Sequence, residues 1–278
     1  MEVLKLENGF NEEAKNLLNI NSNYIIAFND ADNFYAAYKG NYLIGIGSLW
    51  KNKMHPYRQY ISIVVDETER NKGYGTKIFE YLKHKTKLQK FQTAFDSCNV
   101  GALSFAKHCG FYLARKCYCY EVTKTELKSL DVMSLKDEIY VVDDLIDNEK
   151  LFSMIKQDYE CKHINVNPMA KDISKEYFIN TIKSGMLLSD SYVLVKNQEI
   201  EAYFIAYKSD DKVVAMGYTG TRVSKEKYRS FLYDIICRLF SKYDVLELEI
   251  DGCDEDAMFL GKLFSKKPID SWDAYLRD

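Results

Sequence analysis

Proline and glycine are scarce, at 3 and 13 of 278 residues. Long flexible or proline-rich linkers are therefore not expected, and most of the chain should be folded. No uncharged apolar run approaches the length of a membrane-spanning helix, so no span is expected. The opening residues MEVLKLENGF carry charges where a secretion signal needs an apolar stretch. No basic helix stands out and the net charge is -3, which speaks against nucleic-acid binding. The seven cysteines are odd in number and follow no signal, pointing to reduced thiols in a cytoplasmic protein.

What is present is an ordinary globular composition, 47% apolar and 28% charged, in a chain long enough for two domains. The charge is uneven. Residues 1–125 carry 17 basic and 12 acidic side chains, net +5, and the remainder carry 21 and 29, net -8. A polyanionic ligand would prefer the first half. Strand patterns cover 2–6, 33–38, 42–50, 59–66, 92–98 and 111–122, with helices over 12–18, from Gly73, and over 100–109. Asn11 is placed to cap the first helix, and Gly110 to end the third. The second half repeats this order with strands over 138–142, 191–196, 200–208, 212–220, 245–251 and 271–276. Its helices fall over 148–162, 171–184, 224–242 and 255–264. The expected organisation is two domains, 1–125 and 137–278, divided within Thr123–Lys136.

The strongest chemical signal is Val65-Asp-Glu-Thr-Glu-Arg70-Asn-Lys-Gly73-Tyr-Gly75-Thr76. A strand runs into a polar turn and then a helix, with two glycines where the helix starts. Glycine lets backbone approach a ligand closely. The first helical N–H groups lack intrahelical partners and sit at the positive end of the helix dipole. Arg70 and Lys72 add charge, so a pyrophosphate is the natural guest. The segment does not fit a P-loop, because Gly75-Thr76-Lys77 reverses the required Gly-Lys-Ser/Thr. Position 78 is Ile, which excludes the third glycine of a dinucleotide fingerprint.

This segment resembles the acyl-CoA motif of the GNAT superfamily of N-acyltransferases, Arg/Gln-x-x-Gly-x-Gly/Ala after a strand ending in valine. Asn99-x-x-Ala102-x-x-Phe105 followed by Gly110-Phe111 is similar to that family's second motif. The resemblance covers roughly 1–122. It implies an α/β fold of two GNAT-like domains, each a mixed central sheet flanked by helices. It implies acetyl-CoA as co-substrate. Ile63, Val64 and Val65 would pair with the pantetheine arm, Arg70, Asn71, Lys72, Gly73, Tyr74, Gly75 and Thr76 would wrap the pyrophosphate, and Asn99 would lie near the thiol end. The N–H of Val65 would polarise the thioester carbonyl.

The family's usual proton handlers are missing. Ala106 stands where many members have a tyrosine acid, and Ala94 where a glutamate base is common. Tyr112, Tyr118 and Asp96 are the candidate substitutes, each competing with a packing or solvated role. Glu67 and Glu69 read as solvated, His55 as a surface histidine, Cys98 as a buried structural thiol, and Lys83, Lys85, Lys87 and Lys90 as helix C-terminal cations. Cys117-Tyr-Cys119 lacks the partner pair that a zinc site needs, and no metal is expected. The second half has no Gly-x-Gly. Asp254 and Ala257 echo Asn99 and Ala102, so it reads as a degenerate GNAT-like domain whose acidity would favour a cationic acceptor. The expected activity is acetyl transfer to a primary amine of a small molecule or peptide, without nucleic-acid or membrane partners. A homodimer is compatible with the sequence. The alternative is an inactive CoA-binding regulatory or interaction module.

Overall fold

The computed structural model describes residues 1–6, 12–19, 33–135, 138–145 and 148–278. Asn11, Lys136 and Asp137 lie outside the described residues. The strands are β1 (Glu2–Leu6), β2 (Asn33–Lys39), β3 (Tyr42–Trp50), β4 (Gln59–Val65), β5 (Phe91–Asp96), β6 (Tyr112–Thr123), β7 (Ile139–Val141), β8 (Tyr192–Lys196), β9 (Glu199–Lys208), β10 (Val213–Thr221), β11 (Val245–Asp251) and β12 (Trp272–Arg277). The helices are α1 (Glu12–Asn19), α2 (Tyr74–Lys83), α3 (Val100–His108), α4 (Glu149–His163), α5 (Lys175–Lys183), α6 (Lys225–Leu239) and α7 (Glu255–Gly261). Every element read from periodicity is present, with ends moved by a few residues. None of the described helices is long and apolar enough to cross a membrane.

The chain divides into two compact units that are not the simple segments 1–125 and 137–278. The first comprises Met1–Ala114, Val166–Lys171 and Asp273–Asp278, and the second Arg115–Asn165 and Asp172–Trp272. The strand order in the first unit is β1-β2-β3-β4-β5-β12, and in the second β6-β11-β10-β9-β8-β7. The last strand of the chain thus completes the first unit's sheet, while most of β6 belongs to the second. The reason is packing: Tyr275 stacks on Phe95 with centroids 4.5 Å apart and joins the first unit's core.

In the first unit, α2 and α3 cover one sheet face and α1 the other. Ile78, Phe79, Leu82 and Ala106 pack with Ile61, Phe91 and Phe95, whereas Ala14, Leu17 and Leu18 pack with Ile46 and Val64. This follows from strand alternation, since Ile61 and Val64 point to opposite faces. Helix α2 lies unusually close to β3. A Cβ on Gly47 would stand 2.6 Å from Leu82 Cδ1, and one on Gly45 2.8 Å from Ile78 Cδ1. These glycines seat α2 so that its first turn follows the end of β4.

The second unit is also a mixed sheet with helices. β10 runs parallel to β11 and antiparallel to β9, and β11 is antiparallel to β6. Helix α6 buries Tyr228, Phe231, Leu232, Ile235, Ile236 and Leu239 against it.

Candidate active site

The site in the first unit is a slot beside β4. That strand pairs with β3 from Tyr60 to Val65. Its parallel ladder with β5 holds only Gln59↔Phe91 and Tyr60↔Gln92. At the closed end the Gln59 N–H donates to the Lys90 carbonyl at 2.8 Å, and past the open end the Asp66 N–H donates to the Ile44 carbonyl at 3.0 Å. Main-chain direction alternates in an antiparallel pair. Residues 60, 62, 64 and 66 therefore turn toward β3, and 61, 63 and 65 toward the side that β5 has left. Ile63 and Val65 thus aim their amides into the slot. Val64 does not: its main chain bonds β3 and its side chain is buried against α1, which corrects its expected role as a main-chain contact. The Val65 carbonyl accepts from Arg70 Nε at 3.0 Å, leaving its N–H as the slot's donor.

From Val65 the chain enters a short 3₁₀ turn, Glu67–Glu69, capped by Asp66. Hydrogen bonds from the Thr68 hydroxyl and amide hold the Asp66 carboxyl below its ordinary range. Asn71 and Gly73 then take left-handed conformations, with φ of 61° and 79°. Glycine adopts that conformation freely, whereas a side chain at this position is strained. Helix α2 follows without a side-chain cap. Its first main-chain bond is from Lys77 N–H to the Gly73 carbonyl at 3.2 Å. The N–H groups of Tyr74, Gly75 and Thr76 precede it and have no acceptor within the helix. Helices α3, α5, α6 and α7 differ, each being capped by its own Asn99, Ser174, Ser224 or Asp254 side chain.

Four cations surround this bare helix start. Arg70 and Lys72 were legible in the motif. Lys39 and Lys77, whose ammoniums lie 5.9 and 5.5 Å from the Tyr74 ring centroid, were not. Lys77 falls on the first turn of α2 and could have been found from helical spacing. Lys39 arrives from the end of β2 through tertiary structure alone. Glu69 is not a solvated bystander, as it pairs with Lys39 at 3.6 Å and Lys72 at 3.3 Å.

The remaining expectations sort by position. Gly75 faces Phe105, where a Cβ would lie 3.1 Å from the ring, so it serves the packing of α2 on α3. Asn99 caps α3 through the Ala102 N–H at 2.9 Å. Asp96 ends β5, with one carboxylate oxygen held by the Cys98 N–H at 2.7 Å. Counting from the Tyr60↔Gln92 pair places Asp96 level with Val64, across the slot. Tyr112 is at the wrong end. Its hydroxyl donates to Asp278 at 2.8 Å, and Asp278 also binds Arg58, the residue before β4. Arg58 and Val65 are seven residues apart, about 23 Å along a strand. The bond to Asp278 also raises the Tyr112 pKa, which makes it a poorer proton donor. Tyr118 belongs to the second unit, opposite Ile250 in β11 and against that unit's core.

His55 is buried, with Nδ1 donating to the Pro168 carbonyl at 3.3 Å, contrary to its surface reading. Cys98 is exposed rather than buried. Among the lysines late in or after α2, Lys83 pairs with Glu80, Lys90 with Asp278, and Lys85 lies over Tyr81.

The corresponding strand–helix junction of the second unit is filled by its own side chains. β10 pairs with β11 only over Val213–Met216. Beyond that point Lys162 of α4 donates to the Thr219 carbonyl at 3.0 Å and pairs with Asp254 and Asp256 at 2.8 and 2.9 Å. Burial disfavours the Lys162 charge, but the two carboxylates outweigh it and raise its pKa. Asp158 accepts from Tyr203 Oη at 3.0 Å and from Arg222, while Thr219 and Tyr228 share a 2.6 Å hydroxyl contact. A Cβ on Gly220 would stand 2.5 Å from Asp158 Oδ2, so this glycine admits a carboxylate of the chain. Asp158 is buried. Its loss leaves the buried Tyr203 hydroxyl without its acceptor, which costs about 1–3 kcal/mol. Asp158→Ala should therefore markedly lower the second unit's unfolding temperature in calorimetry, and an unchanged temperature would contradict this role.

Residues 2–111 match the Acetyltransferase (GNAT) family. No curated protein matches the chain. A solved GCN5-related N-acetyltransferase from Sphaerobacter thermophilus is similar with a TM-score of 0.62 at 10% identity, over 88% of this chain and 80% of that one. A tandem GNAT protein from the clavulanic acid biosynthesis pathway gives 0.58 at 10% identity, over 99% of this chain and 98% of that one. A GCN5-related N-acetyltransferase from Kribbella flavida gives 0.53 at 10% identity, over 99% and 71%. At these identities the likeness is one of fold. The chain thus has the fold of these N-acetyltransferases and of the tandem GNAT protein, and its residues 2–111 match the GNAT acetyltransferase family.

Proposed function

We propose that the first unit transfers an acetyl group from acetyl-CoA to a primary amine of a small molecule or peptide. The observation that carries this reading is the parting of β4 from β5 after Tyr60, beside a helix start with no side-chain cap. An extended amide-bearing arm can bond Ile63 as a strand would. The amides of Tyr74–Thr76, with Lys39, Arg70, Lys72 and Lys77 around them, suit a diphosphate. The Val65 N–H is aimed where a thioester oxygen gains charge during attack.

Asp96 faces the slot from β5 and is the residue proposed to accept the ammonium proton, directly or through water. The thiolate can leave without a dedicated acid, because its pKa of about 8.5 makes it a fair leaving group. General base catalysis typically contributes ~10²–10⁴-fold. Asp96→Asn should thus lower kcat by at least about 10²-fold while leaving the Kd for CoA unchanged. The test is thiol release from acetyl-CoA across a broad amine panel, with this variant alongside. Turnover that Asp96→Asn leaves untouched would remove Asp96 from the mechanism. The second reading is a CoA-binding module without turnover. It is favoured by Ala106, which is buried in the core and offers no hydroxyl. Tight CoA binding with no thiol release on any amine would establish it.

A further inference from the structure

Cys117 and Cys119 point to the same face of β6, opposite Asp251 and Glu249 of β11. Their sulfurs are 3.8 Å apart. Cys119 is exposed and Cys117 is buried. Cys117 Sγ also lies 3.6 Å from Glu249 Oε1, while Asp251 is held by Arg115 at 3.0 Å and faces His163 at 3.5 Å. Among the described residues the pair is not part of a compact set of three metal-ligating atoms, so its chemistry is that of thiols.

We propose that Cys117 and Cys119 form a reversible dithiol–disulfide couple in which Cys119 reacts first with a low-molecular-weight disulfide. The Cys119 thiolate attacks one sulfur of that disulfide, forming a mixed disulfide and expelling one small thiolate. Cys117 then loses its proton, attacks the Cys119 sulfur and expels the second. The protein loses two hydrogens and two electrons, and the small disulfide becomes two thiols. The order follows from exposure and from the hydrogen bond between the two sulfurs. That bond lowers the Cys119 pKa and, with burial, raises that of Cys117. Closure is fast because the second thiol is already beside the first. Alternate strand residues are separated by about 6.6 Å, near the upper limit for a disulfide, so the bond draws β6 together and is readily reduced.

The test uses the full chain and oxidised glutathione, followed by thiol blocking and trypsin. Both cysteines fall in one peptide, Cys117–Lys124. The peptide should become two hydrogens lighter, and dithiothreitol should reverse the change. In Cys117→Ser it should instead retain one glutathione on Cys119. A wild-type peptide that keeps glutathione, or stays as two free thiols, overturns the couple. A Cys117→Ser peptide with no adduct overturns the assigned order.

Discussion

Gly73→Val lowers CoA affinity by at least about 10²-fold while the protein stays folded, because it damages the cradle and little else. Nothing lies within 4 Å of the position a Cβ would take at Gly73, so a Cβ there meets no neighbour. The cost lies in the backbone, which holds φ at 79°. A left-handed residue with a side chain is disfavoured by roughly 1–2 kcal/mol. The loop relieves that strain by rotating, and the amides of Tyr74, Gly75 and Thr76 then no longer converge. Hydrogen bonds to charged groups contribute about 1.5–3 kcal/mol each, so losing two of them gives the stated effect. Titration calorimetry with CoA reads the affinity, and circular dichroism with thermal melting reads the fold. Gly75→Val is a poorer probe, since its side chain meets Phe105 and would separate α2 from α3. Parent-like affinity in a folded Gly73→Val protein would rule out the cradle.

Removing residues 272–278 should abolish CoA binding and lower the first unit's melting temperature by at least about 10 °C. The loss takes away β12, the hydrogen-bonded neighbour of β5 on the side away from the slot. It removes the Tyr275–Phe95 stack and the Asp278 clasp on Arg58, Lys90 and Tyr112. Truncating a buried aromatic alone typically costs about 3–5 kcal/mol. With β5 held only by its short ladder to β4, nothing fixes Asp96 across the slot. A fragment ending near 125 should fail for the same reason, although it contains the whole family match. Intrinsic fluorescence melts and CoA titration of the truncated chain check this. A truncated protein that binds CoA as the parent does would show that β12 is dispensable.

The sequence discloses local features well and long-range ones poorly. QYISIVVD announces a strand, and Gly73 and Gly75 announce a tight helix start, because both signals lie within a dozen residues. The Ser174, Ser224 and Asp254 caps in the second half could be read in the same way. Which sheet a strand joins is not local. Nothing in WDAYLR distinguishes pairing with β5 from pairing with a strand of its own half. Burial of His55 depends on Pro168, more than a hundred residues away in sequence. The separation of Tyr112 from Val65 is equally hidden, because it follows from the Asp278 clasp at the chain's end. The missing Gly-x-Gly in the second half was visible. The agents that fill that junction, Asp158 and Lys162 on α4, come from a helix whose placement periodicity does not give.

The most direct measurement is amide hydrogen exchange at Ile63, Val65, Tyr74, Gly75 and Thr76, with and without saturating CoA. Strong slowing at these amides, against little change at the Ser224-capped start of α6, is the predicted result. Exchange at Tyr74–Thr76 that stays as fast in the bound protein as in the free one would contradict the diphosphate cradle.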